Sequence, residues 1–218
     1  MIQTSRLPAG LYGVTPDWHD PNRLEQAIRH AVAGGMTAVQ LRVKDVSAQQ
    51  RRLLAEHLLP VCKSLGVPLI INDDWRLALD IDADGVHLGK DDARPDHVRE
   101  QLSPSMVLGV SCYGDLLRAQ EMLAMGVDYI AFGAMFRSGT KPQASPAPLS
   151  VLTQARAMAA EFPSKPAVVA IGGITVDNAA SVLAAGADSL AVVGGLFLAA
   201  DIEQAARNFS ALVPSGSA

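Results

Sequence analysis

The 218-residue sequence predicts a single α/β domain folded as a (β/α)8 TIM barrel, and three observations carry that prediction. Short apolar runs alternate eight times with segments whose apolar residues recur at helical spacing, the pattern of parallel strands joined by crossover helices. Several strands are introduced by one short phrase, as in Gly34-Gly35-Met36-Thr37-Ala38-Val39, Gly126-Val127-Asp128-Tyr129-Ile130 and Gly186-Ala187-Asp188-Ser189-Leu190, which signals a repeated turn. The alternative, a doubly wound open sheet, calls for a glycine-rich phosphate loop after the first strand, and Gly13-Val14-Thr15-Pro16 offers none.

Leu11 to Thr15 reads as the first strand, ended by Pro16. From Asn22 to Ala33 the positions Leu24, Ala27, Ile28, Ala31 and Val32 mark a helix, closed by Gly34-Gly35. The second strand spans Ala38 to Lys44, with Gln40, Arg42 and Lys44 alternating with Leu41 and Val43 and therefore sharing one face. Ser47 begins a helix that runs to about Ser64. Pro68 to Ile71 is a continuous apolar run, as expected of a strand buried on both faces, and it ends in Asn72, Asp73 and Asp74. Asp74 stands where a helix N-cap belongs, directly before Trp75-Arg76-Leu77-Ala78-Leu79. Asp82 and Asp84 precede the fourth strand, Gly85 to Gly89, and read as turn residues at the opposite end of the barrel. The remaining strands are expected at Met106–Cys112, Tyr129–Met135, Ala167–Gly173 and Ser189–Val193. Helices are expected near Arg94–Gln101, Leu116–Met125, Leu149–Phe162, Val176–Ala185 and Ile202–Leu212, and a disordered tail over Pro214–Ala218.

Composition narrows the function. A net charge of -4 with 18% charged residues argues against nucleic-acid binding, which needs a basic face. The N-terminus lacks a basic segment followed by an apolar one, and no run of about 18 apolar residues occurs, so a cytoplasmic protein with no membrane span is expected. Two cysteines, Cys62 and Cys112, cannot build a disulfide framework or a zinc site and are expected as reduced structural thiols. A homo-oligomer is left open.

In a barrel the C-terminal strand ends build the site. Asp73 and Asp92 come from neighbouring βα units, and two converging carboxylates suit Mg2+ carrying a phosphorylated substrate. An Arg and a Lys two apart on one strand face, Arg42 and Lys44, call for an anionic partner; a diphosphate is one, an internal ion pair with Asp73 or Asp92 the other. Ser111 lies near the end of the fifth strand. Ser138, Gly139, Thr140 and Lys141 follow the sixth and offer backbone N–H, hydroxyl and ammonium donors, or else form a surface linker. Gly172-Gly173 and Gly194-Gly195 follow the last two strands and admit phosphate to backbone N–H groups, or, for Gly172-Gly173, simply turn the chain. His87 reads as a satisfied core histidine, and Cys112 shows no base beside it that would make it a nucleophile. The Gly139-to-Pro148 stretch is expected to act as a lid.

At these residues the sequence resembles the thiamine phosphate synthase family. The resemblance rests on Gln40-Leu41-Arg42-Val43-Lys44, Asn72-Asp73-Asp74, His87-Leu88-Gly89-Lys90-Asp91-Asp92, Leu108-Gly109-Val110-Ser111, Thr140-Lys141 and Ile171-Gly172-Gly173-Ile174. It implies a transferase joining 4-amino-2-methyl-5-hydroxymethylpyrimidine diphosphate to 4-methyl-5-(2-hydroxyethyl)thiazole phosphate, with release of diphosphate. It further implies that Asp73 and Asp92 hold Mg2+, and that Gln40, Arg42, Lys44, Asn72, Ser111 and Lys141 hold the pyrimidine diphosphate, with Arg42, Lys44, Lys141 and Ser111 acting in catalysis. Ser138, Thr140, Gly173, Val193 and Gly194 are implied at the thiazole phosphate. Gly194 stands where the family commonly has a Ser, so that contact comes from backbone N–H groups alone or is lost. Two other readings of such a barrel are a thiazole tautomerase, which generally lacks the Arg/Lys and Asp pairs, and a sensor of phosphorylated metabolites.

Overall fold

The computed structural model describes residues 6–137 and 146–214. Its strands are β1 (Gly10–Val14), β2 (Met36–Leu41), β3 (Leu69–Asn72), β4 (Gly85–Leu88), β5 (Val107–Tyr113), β6 (Tyr129–Phe132), β7 (Ala167–Ile171) and β8 (Ser189–Val192). Each pairs in parallel with the next and β8 pairs with β1, so the sheet closes on itself and the open doubly wound alternative is excluded. The helices are α1 (Pro21–Ala33), α2 (Ala48–Leu65), α3 (Trp75–Asp80), α4 (Pro95–Gln101), α5 (Leu116–Ala124), α6 (Ser150–Ala160), α7 (Val176–Ala184), α8 (Gly194–Phe197) and α9 (Ile202–Ser210). None of the described helices is long and apolar enough to cross a membrane. The expected tail over Pro214–Ala218 lies, from residue 215 onward, outside the described residues.

Local chemistry explains where the helices start and stop. Asp20 accepts the Asn22 N–H at 2.9 Å and Pro21 opens α1. Ser47 and Gln50 form a reciprocal capping box at α2, and Gly66 ends it in the left-handed region at φ +71°. Alternation along the strands then divides the core in two. Leu11, Val39, Leu69, Ile71, Val86, Leu108, Ile130, Val168 and Leu190 face the helices, while Tyr12, Ala38, Ile70, Val107, Tyr129, Val169 and Ala191 fill the barrel interior.

The residue just before or at the start of every second strand, within the repeated phrase at β2, β6 and β8, helps close the N-terminal end. Asp84, Asp128 and Asp188 immediately precede β4, β6 and β8, and each carboxylate accepts a backbone N–H from the start of the preceding strand, at Leu69, Leu108 and Val168, all at 2.8 Å. In the β2 phrase Thr37 takes that place and donates its hydroxyl to Leu11 O at 3.2 Å. Asp84 is therefore more than the turn residue expected: it ties β3 to β4. Arg99 and Arg6 neutralise Asp128 at 3.1 and 3.3 Å, and Arg156 neutralises Asp188 at 2.8 Å.

The C-terminal strand ends are shorter than the sequence suggests. β2 stops at Leu41, so Arg42 and Lys44 lie in the following loop and do not continue one strand face. The buried Thr15 ends that ladder: its hydroxyl oxygen accepts the Arg42 N–H at 2.9 Å and stands 3.2 Å from Arg42 O. β6 and β7 likewise end at Phe132 and Ile171. Residues 194–197, for which no helix is expected from the sequence, form the short helix α8; burial of Leu196 and Phe197 outweighs the low helix propensity of Gly194 and Gly195.

Candidate active site

β3 delivers its carboxylates by a tight turn. Asp73 sits in the left-handed region at φ +64°, its N–H donating to His87 O on β4 at 2.8 Å. Asp is among the few side chains that tolerate this conformation. The next residue, Asp74, caps α3 by accepting the Leu77 N–H at 3.1 Å and pairs with Arg51 at 3.2 Å, as its place in the sequence implies. The turn thus separates two adjacent acids: Asp74 serves the helix, and Asp73 meets Asp92 at the mouth. Asp92 is itself fixed by the Gly89 N–H, which donates to its Oδ2 at 2.6 Å.

The Asp73 carboxyl is pushed up to about 6, first by burial between the strand ends and then by hydrogen bonding with and repulsion from Asp92. Asn72 and Arg42 pull in the opposite direction. Asp73 is exposed as a residue, yet its carboxyl group is crowded on the side that faces Asp92. Two carboxylates brought together with little compensating charge fit a divalent cation. Among the described residues no group of three or more His, Cys, Asp or Glu side chains could hold a metal. The pair fits Mg2+ better than a cation needing a full protein cage, because Mg2+ commonly takes one or two carboxylates and completes its shell with water and phosphate oxygens.

Around this pair Arg42 is half-buried and Lys44 exposed, and the Lys44 N–H donates to Asp17 Oδ1 at 2.7 Å. A cleft of about 490 Å3 opens beside them, with Lys44, Arg51, Asn72, Asp73, Asp74 and Arg76 in its lining. Arg118 of α5 ties the neighbouring strand ends together, donating to Ser111 O at 2.8 Å and to Gly89 O at 3.3 Å. It thereby links the end of β5 to the loop that holds Asp92.

Gln40 and Ser111 lie on the barrel interior and are joined by His87 and by Tyr12 and Tyr129, two residues that sequence reasoning passed over. Gln40 Nε2 donates to the Tyr12 hydroxyl, the Tyr12 and Tyr129 hydroxyls meet, Tyr129 meets His87 Nδ1, and His87 Nε2 meets Ser111 Oγ, each at 2.9 Å. His87 is a satisfied buried histidine, as expected, but one of its partners is a candidate site residue. Ser111 therefore has an imidazole beside it, whereas the sequence reading weighed a neighbouring base only for Cys112. The available signal was alternation: Tyr12, Gln40, His87, Ser111 and Tyr129 all fall on inward positions, and a buried phenol needs a partner.

The other candidates stand as follows. Gly173 has φ +67°, and a Cβ there would lie 2.6 Å from Arg137 O, so close packing against the segment after β6 already requires glycine. Val193 precedes α8 and Gly194 opens it. Ser138, Thr140 and Lys141, and the expected lid as far as residue 145, lie outside the described residues. Cys112 is buried and its thiol is pushed up to about 12 by desolvation, and Cys62 likewise, in keeping with structural thiols. Lys90 and Arg137 are exposed.

Comparison with known proteins bears on this geometry. A family model described as thiamine monophosphate synthase matches residues 11–196. Thiamine-phosphate synthase of Bordetella avium is 58% identical over 98% of this chain and 99% of its own, and that of Bordetella pertussis is 56% identical over 94% and 95%. Among solved structures, thiamine phosphate pyrophosphorylase from Pyrococcus furiosus superposes with a TM-score of 0.81 at 30% identity, covering 95% of this chain and 96% of that one. The chain therefore belongs to the thiamine monophosphate synthase family and is an enzyme of that transferase class.

Proposed function

We propose that the enzyme makes thiamine phosphate by a dissociative substitution at the Asp73–Asp92 mouth, in which diphosphate leaves the pyrimidine before the thiazole nitrogen bonds to it. The observation that carries this reading is the convergence of Asp73 and Asp92 beside Arg42, at the end of the barrel where such enzymes build their sites. Asp73 and Asp92 would hold Mg2+, which when bound supplies positive charge to phosphate oxygens. Arg42 and Lys44, with Lys141 assigned from the sequence, bind the diphosphate and stabilise the charge it gains as the CH2–O bond breaks and the electron pair departs with oxygen. Asn72 and Ser111 add neutral contacts, and Gln40 faces the aminopyrimidine. The thiazole nitrogen then donates its lone pair to the CH2 carbon, and no proton needs to move. Ser138, Thr140, Gly173, Val193 and Gly194 are assigned to the thiazole phosphate.

The Ser111–His87 contact favours one competing route, attack by Ser111 to form a covalent pyrimidinyl enzyme. One feature weighs against it. The far nitrogen of His87 meets the Tyr129 phenol, so the carboxylate that steadies the imidazolium in a catalytic triad does not stand at that nitrogen. The other readings of the fold, a tautomerase or a sensor, lack support from the retained Arg42, Lys44, Asp73 and Asp92.

Incubation with both substrates and Mg2+ is expected to yield thiamine phosphate and diphosphate. Replacing the pyrimidine methyl by trifluoromethyl is expected to slow the reaction by orders of magnitude with little change in binding, and Cys112→Ala to remain active. A rate insensitive to the substituent would point to direct displacement, and a trapped Ser111 adduct to the covalent route.

A further inference from the structure

We infer that the buried chain Gln40–Tyr12–Tyr129–His87–Ser111 is a directional hydrogen-bond relay that holds the Ser111 hydroxyl as a donor toward the mouth, with His87 as its positioning residue. The functional half of this inference rests on the reading that Ser111 contacts the diphosphate. The direction follows from counting protons. An amide nitrogen only donates, so the Tyr12 oxygen accepts from Gln40. The single Tyr12 proton then points to the Tyr129 oxygen, and the Tyr129 proton to His87 Nδ1. A neutral imidazole that accepts at Nδ1 carries its proton on Nε2, which donates to Ser111 Oγ. The serine's own proton is left for a group beyond the chain.

The interior is built to keep this arrangement. Tyr12 and Tyr129 are 1% and 0% exposed, and burial drives both phenols upward, so each holds its one proton across the working pH range. The two rings meet edge to face at 6.0 Å, and Tyr129 stacks on His87 at 5.5 Å between centroids. Gly109 provides the room: a Cβ there would lie 1.9 Å from Tyr129 Cζ.

Turning the Gln40 amide over would reverse every link. Tyr12 would donate to Gln40 Oε1, and Ser111 would donate to His87 and offer the mouth lone pairs alone. The two ends are therefore coupled through the barrel. With Gln40 Oε1 left as an acceptor, Ser111 is a donor; with the Gln40 NH2 outward, it is not. The first state complements a substrate with an N–H donor at one end and an anionic leaving group at the other, and the second complements neither.

Two measurements test the relay. In steady-state formation of thiamine phosphate, Tyr129→Phe, which keeps the ring, is expected to lower kcat by about tenfold with the KM for thiazole phosphate unchanged. In a Ser111→Ala background the same substitution is expected to change kcat by less than about twofold, because the two act as one unit. Equal effects in both backgrounds, or no effect of Tyr129→Phe alone, would overturn the positioning role. Independently, 15N NMR of histidine-labelled protein, with His87 assigned by its loss in His87→Gln, is expected to show the Nε2–H tautomer at neutral pH. An Nδ1–H or doubly protonated ring would overturn the relay whatever the activity. Failure of the unmodified enzyme to make thiamine phosphate would instead contradict the proposed function, and the tautomer would still decide for or against the relay.

Discussion

At the N-terminal end of the barrel Asp84, Asp128 and Asp188 each receive a backbone N–H from the neighbouring strand, whereas at the C-terminal end Asp73 and Asp92 face one another. Burial raises the Asp128 and Asp188 carboxyls too, but there the opposing influences are N–H groups and arginines, and no second carboxylate is among the causes. The lower acids are part of how the barrel closes. On the proposed function, the upper pair is the one that takes up a cation. Carboxylates thus tie strands together at one end, while those at the other end are the ones proposed to bind, and the partner each carboxylate meets separates the two.

The largest effect that would break this contrast is on catalysis. Asp92→Asn keeps an acceptor for the Gly89 N–H but removes a charge from the pair, and it is expected to lower kcat/KM by about 10^3-fold. Asp74→Asn keeps the α3 cap and is expected to retain most activity. Steady-state assays at fixed Mg2+ check this, with circular dichroism to confirm folding; equal losses would overturn the separation of the two acids.

At the other end Asp128→Ala strands the Leu108 N–H and the partly buried Arg99, and is expected to cost about 3 kcal/mol in urea unfolding while activity per folded molecule is kept. Arg6, 41% exposed, adds little to that cost. A large loss of specific activity would show that the lower face is not purely structural. Between the two faces lies the interior relay. Gly109→Ala forces Tyr129 to move and is expected to cost about 2 kcal/mol by overpacking, with a fall in kcat as well. A stability loss with kcat intact would place the relay on the structural side of the contrast.

The fold was legible because its signals are repeated and local. Helical spacing, the recurring phrase before β2, β6 and β8, and the break in apolar character after Ile71 need no long-range information. The acidic pair was legible because strand ends define the mouth of any barrel. Tyr12 and Tyr129 were not: strands buried on both faces read as unbroken apolar runs, and a phenol in such a run counts as apolar until the register sets its partner. The shortening of β2 escaped notice because the Arg42 and Lys44 alternation persists beyond the ladder, and only the Thr15 contact shows that the ladder has ended. The lid segment and Lys141 gain nothing from the structure, because they lie outside the described residues.

The smallest expected effect bears most directly on the central claim, that the upper pair serves binding at the expense of the folded state. Asp73 has an ordinary value of 3.8 and a folded value of about 6. The folded protein therefore binds the extra proton between these values, and the favourable contribution is complete below 3.8 and lost as pH rises through about 6. By pH 8 the cost of burying the charged carboxylate, and with it the repulsion from Asp92, is fully present. Without Mg2+, Asp73→Asn is accordingly expected to be more stable than the unmodified enzyme at pH 8, by about 1 kcal/mol once solvent screening is allowed for, and to lose that advantage near pH 4. Adding Mg2+ with diphosphate is expected to stabilise the unmodified enzyme and not the variant. Urea unfolding of the two proteins at both pH values, alongside thiamine phosphate formation, makes the test. The account predicts a variant that is inactive and more stable at pH 8; one that is inactive and less stable at that pH would contradict it.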